Sequence, residues 1–195
     1  MSEKEVILTI KVPDSVKTTL VGHRVTFKGK NGEVTRDFKS HRIKLEHKGD
    51  SIVVIGSPAN KQTSAVMMTL ISHIKNMIEG LNYGYKYTMK ISYSHFPMTA
   101  ELKDKTISIK NFLGEKYPRV AMVVGDAKVA IKGTDVTITG HDLETVSQTA
   151  ANIEQAAKVR GRDIRRFTDG IYVTEKGNID EKSNDFKVVV IRGRE

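Results

Sequence analysis

No cysteine occurs in the 195 residues of the chain. This excludes disulfides, thiolate metal sites and cysteine nucleophiles together, and it suits a cytoplasmic protein. No apolar run approaches the roughly 20 residues that a membrane-spanning helix requires. The opening segment, MSEKEVILTIKV, is acidic where a secretory leader is basic, and its apolar positions alternate, so no membrane insertion is expected. Hydrophobic residues are also scarce, at 38%, which allows a core but not a lavish one. Acidic residues number 23 against 32 basic ones, leaving a formal charge of +9. Such a surplus favours a polyanionic partner, nucleic acid or an acidic membrane surface, although a soluble protein with extra lysine has the same balance.

Catalytic signatures are missing as well. There is no dinucleotide fingerprint, no phosphate-loop lysine motif and no nucleophile elbow. None of the six histidines pairs with another at the helical spacing of metal ligands. The carboxylate pairs Asp142 with Glu144 and Asp169 with Glu175 are explained by capping and surface solubility. No catalytic residue, metal site or cofactor is expected, and the chain does not read as an enzyme.

What the chain does have is a duplication. VTFKGKNGEV (Val25 to Val34) resembles ISIKNFLGEK (Ile107 to Lys116), IVVIG (Ile52 to Gly56) resembles VTITG (Val136 to Gly140), and LNYGYKY (Leu81 to Tyr87) resembles FTDGIYV (Phe167 to Val173). The matched glycines are offset by 82, 84 and 86 residues, a drift that loop insertions between two copies of one unit would produce. Pro13 and Pro97 are likewise 84 apart, and the copies run from about Val6 and Lys90.

Each copy reads as strands, then a helix, then a strand. Alternation around GKNG predicts one hairpin, with Asn31-Gly32 as its turn, and alternation around HKGD predicts another. Although GKNG has the Gly-x-x-Gly form of a nucleic-acid loop, that loop joins helices, and strands flank this one. Met67, Leu70, Ile71, Ile74, Met77 and Ile78 fall at helical spacing, with Gly80 as a stop; Leu143, Val146, Ala150, Ile153 and Ala157 do so again, with Asp142 as N-cap. The expected fold is α+β: two tandem duplicated domains, each a small antiparallel sheet packed against one helix. Residues 1–83 form the first, 84–177 the second, and 178–195 a C-terminal extension. GYKYTMKISYSHF reads as a strand-like bridge.

The second helix runs into the densest charge of the chain. Lys158, Arg160, Arg162, Arg165 and Arg166 crowd together with only Asp163 among them, immediately before the apolar Phe167 and Ile171 to Val173. The negative end of a helix dipole favours one or two cations there, not five. Seven of the ten arginines lie in the second half, and the planar arginine fork suits phosphate oxygens better than lysine does. The cluster therefore reads as a phosphate-binding loop, with a solvated helix end as the plainer alternative. NFLGEKYPR, Asn111 to Arg119, is a second candidate: Lys110, Lys116 and Arg119 surround Gly114, which permits close backbone approach, while Phe112 and Tyr117 offer flat faces for a base or for the core.

The run Gln155, Val159, Arg162, Arg165, Phe167, Asp169 to Val173 and Lys176, together with NFLGEK, SHFPM and QTAANIEQA, resembles the signature of the ribosomal protein six family of the large subunit. That family is called L-six in bacteria and archaea and L-nine in eukaryotes. The likeness spans Val6 to about Gly177, and GSPANKQ lacks the tryptophan pair of many eukaryotic members, which points to an archaeal type. The resemblance implies two related domains bound to large-subunit rRNA. It places the second domain close to the sarcin-ricin loop and the landing site of translational GTPases, with ribosomal proteins as neighbours. Carried over by position, it marks Arg162, Arg165, Lys176 and the NFLGEK residues Asn111, Gly114 and Lys116 as RNA contacts, with Phe167, Ile171 and Val173 as packing residues behind them. Lys110, Arg119, Lys158, Arg160 and Arg166 join the contacts on charge. The tail NIDEKSNDFKVVVIRGRE lies outside the signature; FKVVVIR reads as an added strand, with Arg192 and Arg194 available to RNA or a neighbouring protein. The rival readings are an RNA-modifying enzyme, a basic protein-protein adaptor and an RNA-binding protein outside the ribosome.

Overall fold

The computed structural model describes residues 5–49, 51–94, 96–180 and the strand at 190–194. In chain order the elements are β1 (Val6–Lys11), β2 (Lys17–Val21), β3 (Arg24–Gly29), β4 (Gly32–Asp37), β5 (Ile43–Lys48), β6 (Ser51–Gly56) and α1 (Lys61–Tyr83). Then follow β7 (Tyr85–Ser92), β8 (Thr99–Lys103), β9 (Thr106–Lys110), β10 (Arg119–Met122), β11 (Lys128–Lys132), β12 (Asp135–Gly140), α2 (Leu143–Ala156), β13 (Gly170–Asn178) and β14 (Val190–Arg194). They form two compact units: one gathers the residues up to Tyr83 with the C-terminal strand, and the other runs from Gly84 to Asp180.

Both units are α+β, each built from antiparallel strands and one helix. In the first, the sheet order is β14-β1-β6-β5, with β2-β3-β4 as a smaller second sheet; in the second, the orders are β11-β12-β7-β13 and β10-β9-β8. Alternation decides which side chains turn inward: Val25 and Phe27 are wholly buried between the more accessible Arg24, Thr26 and Lys28. Ile71, Ile74 and Ile78 of α1 are almost fully buried, each worth about 1.5–3 kcal/mol relative to exposure. Ile138 and Ile153 do the same in the second unit. The repeated glycines before each helix have one purpose: a Cβ at Gly56 would stand 2.7 Å from Thr63 Cγ2, and one at Gly140 2.8 Å from Val146 Cγ2. Only glycine lets the helix come that close.

Local signals misplace two features. Gly80 does not stop α1; it is buried within the helix, which runs on to Tyr83 and ends where Gly84 takes a left-handed φ of 66°. Nor is Asn31-Gly32 the centre of the first hairpin, because Gly29 pairs with Gly32 and the turn is Lys30-Asn31. The Asn31 N–H donates to the Leu81 carbonyl at 3.2 Å, satisfying an acceptor that the last turn of α1 leaves open. The turn is thus shaped by the helix it docks on.

The strand order also revises the reading of strands, helix, then strand. The strand after α1 is β7, and it does not close the first sheet. It lies between β12 and β13 in the second, as β1 lies between β6 and β14 in the first. The second copy therefore begins near Tyr85 rather than Lys90, and the place that β13 fills in its own unit is filled in the first by β14. Val6 faces Arg194 and Ile10 faces Val190 in that pairing. Residues 186–189 of the FKVVVIR run, the side chains of Arg192 and Arg194, His95 and Asp50 lie outside the described residues.

Removing residues 181–195 turns β1 into an edge strand. The expected result is a first unit weakened by on the order of 2 kcal/mol, since five ladder pairs vanish while some chain entropy is returned. Hydrogen exchange checks this: β1 amides should lose protection while β7 amides keep theirs.

Candidate nucleic-acid interface

The basic loop starts where α2 stops. Asp142 caps the helix, its Oδ1 accepting the Glu144 N–H at 3.1 Å, and Val146, Ala150 and Ile153 bury one face. The last turn of α2 holds no basic residue, so the helix dipole, which acts within that turn, accounts for little of the cluster. Asp163 is not a counter-charge scattered among the arginines. Its Oδ1 accepts the Arg165 N–H at 2.9 Å, and its carbonyl accepts the N–H groups of Arg166 and Phe167 at 3.1 and 3.0 Å. Together with Gly161 at φ 69°, this folds the loop into a turn that leaves Arg160, Arg162, Arg165 and Arg166 exposed.

The far end of the loop is pinned down. Phe167 packs against the core, and Asp169, which the sequence placed at the surface, is 2% exposed. Its carboxylate accepts the Ser94 N–H, and the Thr168 and Ser94 hydroxyls lie 3.0 Å apart. Ile171 is buried and Val173 packs beside it, as expected of residues that hold the loop in place. Arg162 lies over the Phe167 ring, 5.0 Å from its centroid, a contact worth about 0.5–1 kcal/mol at an exposed site.

The 111–117 segment is a tight turn of which Phe112 and Leu113 pack inward. Asn111 and Leu113 have φ of 59° and 51°, and Gly114 has φ of 75°; for a bulky residue such as Leu113 this is strained, and its burial holds it there. Asn111 Nδ2 donates to the Pro97 carbonyl at 2.9 Å. Of the two flat faces, Phe112 belongs to the core at 1% exposure, while Tyr117, at 79%, faces water. Lys116 is exposed. Lys110 is paired with Glu101 at 2.7 Å, and that hydrogen bond and charge hold the Glu101 carboxyl below its ordinary range.

Arg119 joins the two loops. Its Nε and Nη2 donate to the Glu115 carboxylate at 2.8 and 2.6 Å, and its Nη1 donates to the carbonyls of Ala156 and Lys158 at 3.0 and 2.8 Å. The guanidinium also lies 4.1 Å from the centroid of the Phe112 ring. One side chain thus clasps the 111–117 turn to the C-terminal end of α2. Glu115 is held below the usual carboxylate range, first by the hydrogen bond from Arg119, then by the charges of Arg119 and Arg162, with burial opposing. The bond from Arg119 to the Lys158 carbonyl sets the turn beside the start of the arginine loop, at one end of the unit. Lys176 does not join them: it lies over Tyr87 at 5.7 Å, about 20 Å along β13 from Gly170 at the usual rise per strand residue.

Sequence reasoning missed the clasp itself. Glu115 and Arg119 are four apart, but on a turn and a strand rather than a helix, and the carbonyls that Arg119 reaches are 37 and 39 residues away. Among the described residues no group of three histidine or carboxylate side chains is arranged to hold a metal, and no helix is long and apolar enough to cross a membrane.

A family model described as Ribosomal protein L6 matches residues 12–84 and 96–170, one segment in each half of the duplication. Among similar proteins, the large ribosomal subunit protein uL6 of Methanocella arvoryzae is 44% identical over 173 residues, 88% of this chain and 98% of that protein. The uL6 of Methanosphaera stadtmanae is 48% identical over 168 residues, 86% and 91% of the two chains, and that of Staphylothermus marinus 45% over 172, 86% and 93%. With the family model spanning both halves and relatives this similar along most of their length, the chain belongs to the ribosomal protein L6 family.

Proposed function

We propose that the protein is a structural constituent of the large ribosomal subunit, working in the ribosome to support translation, and that it binds large-subunit rRNA through one end of its second unit. The observation that carries this reading is the convergence of the arginine loop and the 111–117 turn, clasped by Arg119 and Glu115. Arg160, Arg165 and Arg166, exposed on an anchored turn, meet phosphates, as do Lys116 and Lys158. Arg162 does so while braced on Phe167. Arg119 serves mainly as the positioning residue, and Asn111 and Gly114 shape the backbone that approaches the RNA. Lys110, at the foot of that turn, and Lys176, further along β13, contact RNA as well. RNA of this kind is recognised by its folded shape, with phosphate and ribose contacts outnumbering base contacts. The same end of the unit lies close to the sarcin-ricin loop and the site where translational GTPases land, and other ribosomal proteins are its neighbours.

Ultraviolet crosslinking of the protein to RNA in isolated ribosomes, followed by sequencing of the attached fragments, tests this. Reads concentrated around the sarcin-ricin loop are expected. Reads elsewhere in large-subunit rRNA would retain the ribosomal role and discard the location. Reads outside ribosomal RNA, or none with binding that survives ribonuclease, would favour the non-ribosomal or adaptor reading.

A further inference from the structure

A cavity of about 680 Å³ opens beside the arginine loop, between the end of α2 and the start of β13. Its walls are mostly apolar. Ala157 and Val159 are buried at its base, and Phe167 and Tyr172 contribute rings. Ile164 contributes a further wall although it is 70% exposed and sits among arginines. Nothing in the turn requires an isoleucine there, because Asp163 and the backbone make the turn. Its exposed apolar surface is useful when something covers it. The polar lining is Ser92, Gln155, Thr168 and one carboxylate, Glu154, while Lys158 belongs both to the cavity and to the cationic loop.

Tyr172 is held ready as a wall. Its hydroxyl donates toward the carbonyls of Thr168 and Asp169 at 3.3 and 3.4 Å. The ring folds back over Gly170 so closely that a Cβ there would stand 2.7 Å from Tyr172 Cζ. An apolar cavity walled by two rings, with hydrogen-bonding groups in its lining and the cationic loop at its margin, suits an aromatic ring carrying a phosphate. Aromatic side chains recognise unstacked bases in this way, and each such stack contributes roughly ten-fold or more to affinity.

We infer that this cavity receives one unstacked base of the bound RNA, stacked against Tyr172, while the loop cations hold the phosphates on either side. The inference rests on the RNA-binding reading and adds to it a base contact where the loop by itself supplies only phosphate contacts. The test uses the full chain, labelled with nitrogen-15, titrated separately with the four nucleoside 5′-monophosphates and with ribose 5-phosphate, which carries the phosphate but no base. At least one nucleotide is expected to bind about ten-fold more tightly than ribose 5-phosphate and to shift the amides of Ala157, Val159 and Tyr172. Tyr172→Ala, at a half-exposed position, should erase that ten-fold advantage while leaving ribose 5-phosphate binding unchanged. Gly170→Ala, which displaces the ring without removing it, should reduce the advantage. Equal affinities with shifts confined to the arginine loop would overturn the base-receiving role while leaving phosphate binding intact. So would the absence of any cavity shift with all four nucleotides. A glutamate-rich peptide that shifts the cavity amides where nucleotides do not would assign the cavity to an acidic protein segment instead. The ribosomal reading is decided separately by the crosslinking reads.

Discussion

Replacing Arg160, Arg165 and Arg166 together by glutamine is expected to lower affinity for a large-subunit rRNA fragment by about two orders of magnitude at 0.1 M salt. Each phosphate neutralised by a cation releases bound counterions, so the logarithm of the affinity falls by roughly 0.7–0.9 per tenfold rise in salt for each contact. Three lost contacts should flatten that slope by about 2–3, and the wild type and the variant should converge near 1 M, where release contributes nothing. The thermal midpoint should barely move. All three side chains are exposed, and exposed charges contribute little to folding, while the turn beneath them is made by Asp163 and the backbone. Fluorescence anisotropy across a salt series is the measurement. A variant with lower affinity but an unchanged slope would show that these arginines do not neutralise phosphates.

Arg119→Ala should have the opposite signature. It removes four hydrogen bonds and a ring contact from a side chain that is 23% exposed. It also leaves the Glu115 carboxylate and two carbonyls to find water. A loss of about 2–3 kcal/mol is expected, which for a unit of this size lowers its midpoint by about 10–15 °C. Arg119→Lys should recover little of it, because an ammonium cannot span the carboxylate and both carbonyls as the guanidinium fork does. Acid supplies a second readout. The folded-state pKa of Glu115 lies below its ordinary 4.5, so its ion pair contributes stability that is present above that ordinary value and is lost as pH falls through the folded value. The gap in stability between wild type and Arg119→Ala should therefore narrow as pH is lowered below 4.5. An unchanged midpoint in Arg119→Ala would mean that the clasp does not hold the unit together and that Arg119 is free to contact RNA.

These two variants separate arginines that look alike in the sequence. Arg119 and Arg165 are both flanked by basic and aromatic residues in glycine-containing runs, and both read as RNA contacts. One turns inward because the end of α2 presents carbonyls to it; the other turns outward because an aspartate shapes the backbone beneath it. The destination of a long charged side chain depends on which backbone groups lie within its reach, and those groups are remote in sequence. The same holds for Asp169, whose neighbours made it look like a surface acid. Its partner, Ser94, is 75 residues away.

From the sequence by itself follow the duplication, the hairpins, both helices, the Asp142 cap and the family. Each of these is written in short-range periodicity or in a motif. Alternation marks a strand, three-and-four spacing marks a helix face, and a run of coinciding positions marks common descent. Only the tertiary structure decides that β7 opens the second unit, that β14 returns to complete the first, that α1 runs through Gly80, and that Arg119 clasps two loops beside an apolar cavity. All but the course of α1 are pairings over long separations. A strand's pattern states which face it will bury but not which edge it will join, and a glycine or an arginine acquires its role from what the fold brings against it.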